Sequence, residues 1–207
     1  IVKSYPSKYG CASNDLAIEV LGGAGYVRDY PVEQLYRDQR LNPIHEGTEG
    51  IHGLDLLGRK VLLNNGESYQ MFLAKVDKTV ADAENLPQIA HLAPPVRAAI
   101  ERTNRVTESL LPRVVEDPDS GLANATIYLD MFGQVVMAWI WLQQAVVAAR
   151  KLSTSDLAPN EPEHDFYQGK VSAAQYFIYR ELPQTVQKAA LLEINESTCF
   201  DMPAAYF

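Results

Sequence analysis

Residues 131–149 read MFGQVVMAWIWLQQAVVAA and contain no charged side chain. Because a transmembrane helix needs roughly 20 apolar residues, a membrane span is one interpretation. Gln134, Gln143 and Gln144 argue against it, since each amide would need a hydrogen-bond partner in hydrocarbon, and no basic anchor flanks the segment. A helix that is apolar on all sides is also what a bundle centre requires. We therefore expect a buried core helix and no stable membrane insertion.

Outward from this segment, apolar residues recur at helical spacing along almost the whole chain, and alternating strand patterns are scarce. Turn-forming residues separate the periodic segments at Asn64-Asn65-Gly66, Pro87, Pro94-Pro95, Pro118 and Pro183. The sequence therefore predicts an all-α fold, a helical bundle, in two parts, residues 1–66 and residues 67–207. The longest helix is expected at about 122–152, in the centre of the bundle, and the tail after residue 194 is expected to be irregular.

Composition restricts the partners and the compartment. The formal net charge is −8, which argues against a nucleic-acid partner, because nucleic-acid-binding proteins usually present basic patches. Cys11 and Cys199 are too few for a disulfide framework, so that a reducing compartment, the cytoplasm or the mitochondrial matrix, is expected. The chain starts at Ile1 without a secretory signal pattern. The absence of an initiator Met is consistent with a fragment, with a processed chain or with a sequence whose first residues are not included. Of these three explanations, we expect a fragment.

Residues 17–60 carry the motifs that suggest chemistry, and they read AIEVLGGAGYVRDYPVEQLYRDQRLNPIHEGTEGIHGLDLLGRK. Glycines at 22, 23 and 25 permit positive φ and close approach of a ligand to the backbone, although an ordinary helix–helix turn has the same glycine content. The pattern lacks the preceding strand of a dinucleotide-binding fingerprint. Glu46 stands before Gly47 and Thr48 at a helix start, where it is either a catalytic base or a solvated, helix-capping carboxylate.

Four potential metal ligands lie in the same segment: His45, Glu46, Glu49 and His52. Their spacing is not the HExxH of zinc proteases, and Gly47 and Gly50 weaken the helix that such a site needs. We therefore expect no metal.

Three motifs of this segment occur in a fixed order: GGAGY at 22–26, YPVEQLYRD at 30–38 and EGT at 46–48. Together they resemble the C-terminal signature of the acyl-CoA dehydrogenases. The continuation GLDLLGRK at 53–60 is similar to a subfamily with an extra C-terminal helical domain, which includes the 3-methylmercaptopropionyl-CoA dehydrogenases.

The resemblance implies FAD-dependent α,β-desaturation of an acyl-CoA thioester, with Glu46 as the general base. It implies that Gly47 borders the acyl chain and that Thr48 contacts the FAD pyrophosphate region. Gly22 and Gly23 match the loop that approaches a flavin bound mainly by a neighbouring subunit, and Gly50 stands where several relatives have a polar FAD contact. FAD is implied for the full-length parent, and this chain alone is expected to bind none and to be inactive.

The resemblance also implies partners: the acyl-CoA substrate, an electron-transfer flavoprotein or similar acceptor, and further copies in a homo-oligomer. A non-catalytic helical module for oligomerisation or interaction is the alternative reading, although the retained residues 46–48 favour catalysis in the parent protein.

Overall fold

The chain forms helices and turns, with no strand, over the residues that the structure, a computed structural model, describes: 1–154 and 157–206. Its α-helices in chain order are α1 (Ser4–Leu21), α2 (Gly23–Tyr26), α3 (Val32–Gln39), α4 (Glu49–Asp55), α5 (Glu67–Glu84), α6 (Ala93–Glu116), α7 (Pro118–Leu122), α8 (Ala125–Thr154), α9 (Pro162–Tyr176), α10 (Gln184–Ile194) and α11 (Thr198–Asp201). Two π-helical turns, Leu56–Lys60 and Phe177–Glu181, continue α4 and α9. The predicted all-α bundle is confirmed.

Helix α8 is 30 residues long and forms the centre of the bundle, where α4, α5, α6, α9 and α10 pack against it. By length and composition it is the one described helix that could cross a membrane, and 56% of its most apolar window is buried inside the protein. Met131 and Leu142 are fully buried, while Trp139 and Ile140 are partly covered. The predicted central placement of this helix is confirmed.

The glutamines of α8 find the partners that the sequence left open. Gln134 is buried, and its Oε1 accepts a hydrogen bond from Lys188 Nζ at 2.8 Å while its Nε2 donates to Gln184 Oε1 at 3.3 Å. Gln143 is exposed and Gln144 partly so, and both therefore reach water. The one buried amide is satisfied by α10, as a buried polar group requires.

Prolines mark the helix boundaries as predicted. Helix α6 carries Pro94 and Pro95 in its first turn, where a missing N–H removes no intrahelical hydrogen bond, and α10 follows Pro183. Two boundaries differ from the prediction. Helix α8 begins three residues later than residue 122 because residues 118–122 form α7, and the tail contains the short helix α11.

The turn before α5 uses left-handed backbone at three successive positions. Asn64, Asn65 and Gly66 have φ of 53°, 56° and 83°, which asparagine and glycine adopt more readily than other residues. The predicted stop signal is confirmed as a turn. The division into two domains at residue 66 stays a prediction.

The apolar faces of α1 and α3 are largely uncovered. Helix α1 packs on α3, yet Leu16 and Val20 on α1 are 60% and 86% exposed and Leu35 on α3 is 54% exposed. The helical periodicity of these residues correctly predicted the helices, but their apolar side chains do not pack into the core of this chain. Exposed apolar faces of this kind are typical of interaction surfaces.

Helix α4 lies against α8 with backbone touching backbone. A Cβ atom added at Gly53 would lie 2.7 Å from the carbonyl oxygen of Ala125 and 3.0 Å from the amide nitrogen of Thr126. Only glycine fits at such a distance, so that Gly53 sets how closely α4 approaches the central helix.

We predict that Gly53→Ala destabilises this chain by about 1–3 kcal/mol, the usual cost of overpacking. Helix propensity alone predicts the opposite sign, because alanine favours a helix interior by about 1 kcal/mol over glycine. Gly169→Ala in α9 is the matched control: its Cβ would meet nothing within 4 Å, so this variant gains about 0.5–1 kcal/mol. Urea unfolding followed by circular dichroism measures both, and equal gains in the two variants would contradict the close α4–α8 packing.

Candidate functional site

The turn at Glu46 and Gly47 has an unusual backbone. Glu46 has φ of 59° and Gly47 has φ of 94°, and left-handed φ at a residue other than glycine is uncommon and costs energy. The Glu46 side chain is exposed and makes no hydrogen bond to another residue of the described ranges. A strained turn thus presents a free carboxylate beside the start of α4.

His52 lies against the inner side of this turn. Its Nε2 is 2.9 Å from the carbonyl oxygen of Glu46, a distance at which the protonated Nε2 donates a hydrogen bond. A Cβ atom at Gly47 would lie 2.7 Å from the same nitrogen. Position 47 therefore requires glycine for two reasons: its φ is positive, and the imidazole of His52 leaves no room for a Cβ atom.

Thr48 and Gly50 form the polar start of α4. Thr48 is exposed and its side chain makes no capping hydrogen bond. The first intrahelical hydrogen bond runs from the amide of His52 to the Thr48 carbonyl at 3.1 Å. The amides of residues 49–51 come before this bond and therefore have no acceptor within the helix. The nearest atom to a Cβ added at Gly50 is Thr48 Oγ1, at 3.9 Å. Thr48 therefore presents a hydroxyl without a capping partner beside these amides.

The glycines at the junction of α1 and α2 have different roles. Gly22 has φ of 58°, and a Cβ added at Gly22 or at Gly23 would meet nothing within 4 Å. A Cβ at Gly25 would lie 2.5 Å from the carbonyl oxygen of Ile18. Gly25 is thus needed for the packing of α2 on α1, whereas Gly22 and Gly23 face open space. Gly22 and Gly23 lie at the junction of α1 and α2, which is a different part of the chain from the turn at residues 46–48.

A cleft of about 110 Å³ opens beside the turn. Helix α1 lines one side with Ser7, Lys8 and Cys11, and Gly47 and His52 line the other. Lys8 was not identified as a functional residue from the sequence, and His52 was considered only as a metal ligand, because the ion pairs of Lys8 and the hydrogen bond of His52 to the Glu46 carbonyl depend on the folded backbone.

Lys8 connects this cleft to the core through Asp130 of α8. Its Nζ lies 3.0 Å from Asp130 Oδ1 and 3.8 Å from Glu49 Oε1, and Lys188 Nζ lies 2.5 Å from Asp130 Oδ2. Burial of the Asp130 carboxyl favours its neutral form, but the hydrogen bonds from Lys188 and Lys8 outweigh burial and hold the pKa of Asp130 below its usual value. The carboxylate therefore stays charged and joins α1, α8 and α10.

Both histidines of the turn engage the backbone. His45 Nδ1 lies 3.1 Å from the Leu41 carbonyl oxygen, as His52 Nε2 does with Glu46. The described residues contain no group of three or more side chains placed to hold a metal ion. The expectation of no metal stays a prediction.

Two family models match the chain, one after the other. The model described as "Acyl-CoA dehydrogenase, C-terminal domain" matches residues 1–62, and the one described as "Acetyl-CoA dehydrogenase C-terminal like" matches residues 72–203.

Curated relatives match over most or all of the chain. A butyryl-CoA dehydrogenase of Syntrophomonas wolfei is 25% identical, covering 100% of this chain and 33% of the relative. A broad-specificity linear acyl-CoA dehydrogenase of Mycobacterium tuberculosis is 24% identical, covering 100% and 34%. A 3-methylmercaptopropionyl-CoA dehydrogenase of Ruegeria pomeroyi is 28% identical, covering 88% and 30%. The chain thus spans about a third of the length of these relatives.

We predict that Asp130→Asn lowers the stability of this chain by about 1.5–3 kcal/mol at pH 7, the usual worth of hydrogen bonds to a charged group. Because the folded pKa of Asp130 is depressed, its contribution is present above the ordinary value of 3.8 and is lost as the pH falls through the folded pKa. Unfolding free energies of both proteins, measured from pH 7 downward, should therefore converge in acid. Asp15→Asn, at an exposed position of α1, is the control, and a difference that stays constant with pH would contradict the prediction.

Proposed function

Because the chain belongs to the acyl-CoA dehydrogenases, whose C-terminal portion it represents, we propose that it completes an FAD-dependent enzyme that desaturates an acyl-CoA thioester, with Glu46 as the general base. The observation that carries this proposal is the free, exposed carboxylate of Glu46 on a strained turn of left-handed backbone. Strain of this kind is often retained where a side chain must be presented in one direction.

The proposed reaction asks Glu46 to remove the α-proton of the thioester. A base for this step needs a carboxylate free of other hydrogen bonds and able to reach the bound substrate, and Glu46 meets the first condition. The backbone amide of the same residue would stabilise the negative charge that develops on the thioester oxygen. Gly47, the next residue, is proposed to border the acyl chain.

The residues assigned to FAD fit such a ligand. Gly22 and Gly23 face open space, so that a planar ring or a pyrophosphate can approach their backbone closely. Thr48 offers a free hydroxyl, and Gly50 leaves that hydroxyl uncovered. When bound, FAD supplies the acceptor for the β-hydrogen, which leaves the substrate as hydride.

The proposed partners follow from the same assignment: an acyl-CoA substrate, an acceptor such as electron-transfer flavoprotein, and other copies of the enzyme in a homo-oligomer. The exposed apolar faces of α1 and α3, with Val20 and Leu35, support an assembled protein in which these faces are covered. A reducing compartment, cytoplasm or mitochondrial matrix, is proposed for it.

The same apolar faces favour the second candidate, a helical module that serves assembly without catalysis. The two candidates differ in what they require of Glu46, since only catalysis needs its carboxylate.

We expect Glu46→Gln in the full-length enzyme to reduce turnover by about 10²–10⁴-fold, the usual cost of removing a positioned general base. The flavin should stay bound and the melting temperature should change little, because the amide keeps the size of the side chain. Steady-state assays with an artificial electron acceptor measure this. Glu67→Gln, which changes an exposed carboxylate at the start of α5, is the control. Near-normal turnover in Glu46→Gln would remove the base assignment and favour the assembly module.

A second variant tests the flavin contact separately from folding. Gly23→Leu adds a side chain whose Cβ would meet no atom within 4 Å, so the melting temperature of this chain should fall no more than in Gly169→Leu, where the added Cβ also meets nothing within 4 Å. The ratio of flavin to protein in the full-length enzyme should drop in Gly23→Leu only, because the leucine occupies the space proposed for FAD. Full flavin content in Gly23→Leu would contradict this placement of the cofactor.

A further inference from the structure

We propose that His52 is a positioning residue, which holds the strained turn at Glu46 in the one conformation that presents the base. This inference rests on the proposed function of Glu46. His52 itself touches the backbone of the turn and acts on the reaction only through Glu46.

The first argument is the hydrogen bond. Glu46 and Gly47 both have positive φ, a conformation that costs energy at Glu46 and persists only where the surroundings enforce it. The Glu46 carbonyl oxygen lies 2.9 Å from His52 Nε2. Among the described residues this is the side-chain hydrogen bond that holds the peptide following Glu46. Fixing that peptide fixes the direction of the Glu46 Cα–Cβ bond, from which the carboxylate extends.

The second argument is steric. A Cβ at Gly47 would lie 2.7 Å from Nε2 and 3.1 Å from Cδ2 of His52, so that the imidazole edge fills the space beside the glycine. The ring therefore supports the turn by contact as well as by hydrogen bonding. The turn can neither fold inward onto α4 nor take a side chain at position 47 without displacing His52.

The third argument is the rigidity of the residue that carries the imidazole. Gly53, the next residue of α4, lies directly on the backbone of Ala125 at the start of α8. His52 is thus attached to the part of α4 that is pressed against the central helix. Its side chain reaches from this fixed point to the Glu46 carbonyl, which transmits the position of the core to the base. A misplacement of about 1 Å at a reacting group can cost about 10²-fold in rate.

The test compares His52→Leu with His52→Gln in the full-length enzyme. Leucine fills similar space without a donor, whereas glutamine keeps an N–H that can reach the Glu46 carbonyl. We expect His52→Leu to lower kcat by about 10–100-fold, with KM, flavin content and melting temperature close to those of the wild type. His52→Gln should recover most of the lost turnover. His164→Leu is the control, because His164 lies on α9, its polar partner among the described residues is Asp165 at 3.1 Å, and its loss should leave kcat unchanged.

A double variant separates positioning from a general structural effect. If His52 acts through Glu46, His52→Leu should add no further loss of kcat in a Glu46→Gln background. An equal additional loss in that background, an unchanged kcat in His52→Leu, or equal impairment in the leucine and glutamine variants would each overturn the inference. High activity in Glu46→Gln alone would instead overturn the proposed function.

Discussion

The contact of backbone with backbone between α4 and α8 is the constraint on which the site depends. Gly53 lies on Ala125 and Thr126 at distances that exclude any side chain, so the helix that begins at residue 49 packs against the core at the shortest distance that its backbone allows. The preceding turn is tied to that helix by His52 through the Glu46 carbonyl. The backbone that carries the Glu46 carboxylate is thereby given a defined position, although nothing in the described chain covers the carboxylate itself.

Electrostatics adds a second connection between the core and the cleft. Asp130 on the central helix receives Lys8 from α1 and Lys188 from α10, and Lys8 also approaches Glu49 beside the turn. The two ion pairs of Asp130, with Lys8 and with Lys188, are partly shielded from water, since the Asp130 side chain is only 16% exposed. Shielding strengthens interactions between charges. The helices after residue 66 therefore take part in ordering the segment that carries the motifs.

Local sequence patterns predicted where the helices lie better than they predicted which helix surfaces pack against each other. Prolines 94, 95 and 183 and the turn at residues 64–66 mark helix ends through backbone geometry alone, which needs no tertiary information. The uncharged run at 131–149 identified the central helix because a helix that is apolar on every side is either buried or in a membrane, and the glutamines of this run argue against a membrane. Periodicity does not tell which apolar stripe remains uncovered, so the exposure of Val20 could not be foreseen. The role of Lys8 arises from Asp130, which is far away in the sequence. The role of His52 arises from the strained turn at Glu46. Neither role is marked by a local sequence pattern.

The order in which the chain is made has a consequence for the central helix. Residues 131–149 of helix α8 are uncharged and mostly apolar, and α9 and α10, which cover part of this helix, follow it in the sequence. During synthesis from the N-terminus, α8 leaves the ribosome before the residues that shield it exist. Until Ile194 has emerged, a long apolar surface faces the solvent, and such surfaces on incomplete chains aggregate or recruit chaperones. The helix that stabilises the finished bundle is therefore also the segment that most exposes the nascent protein to misassembly.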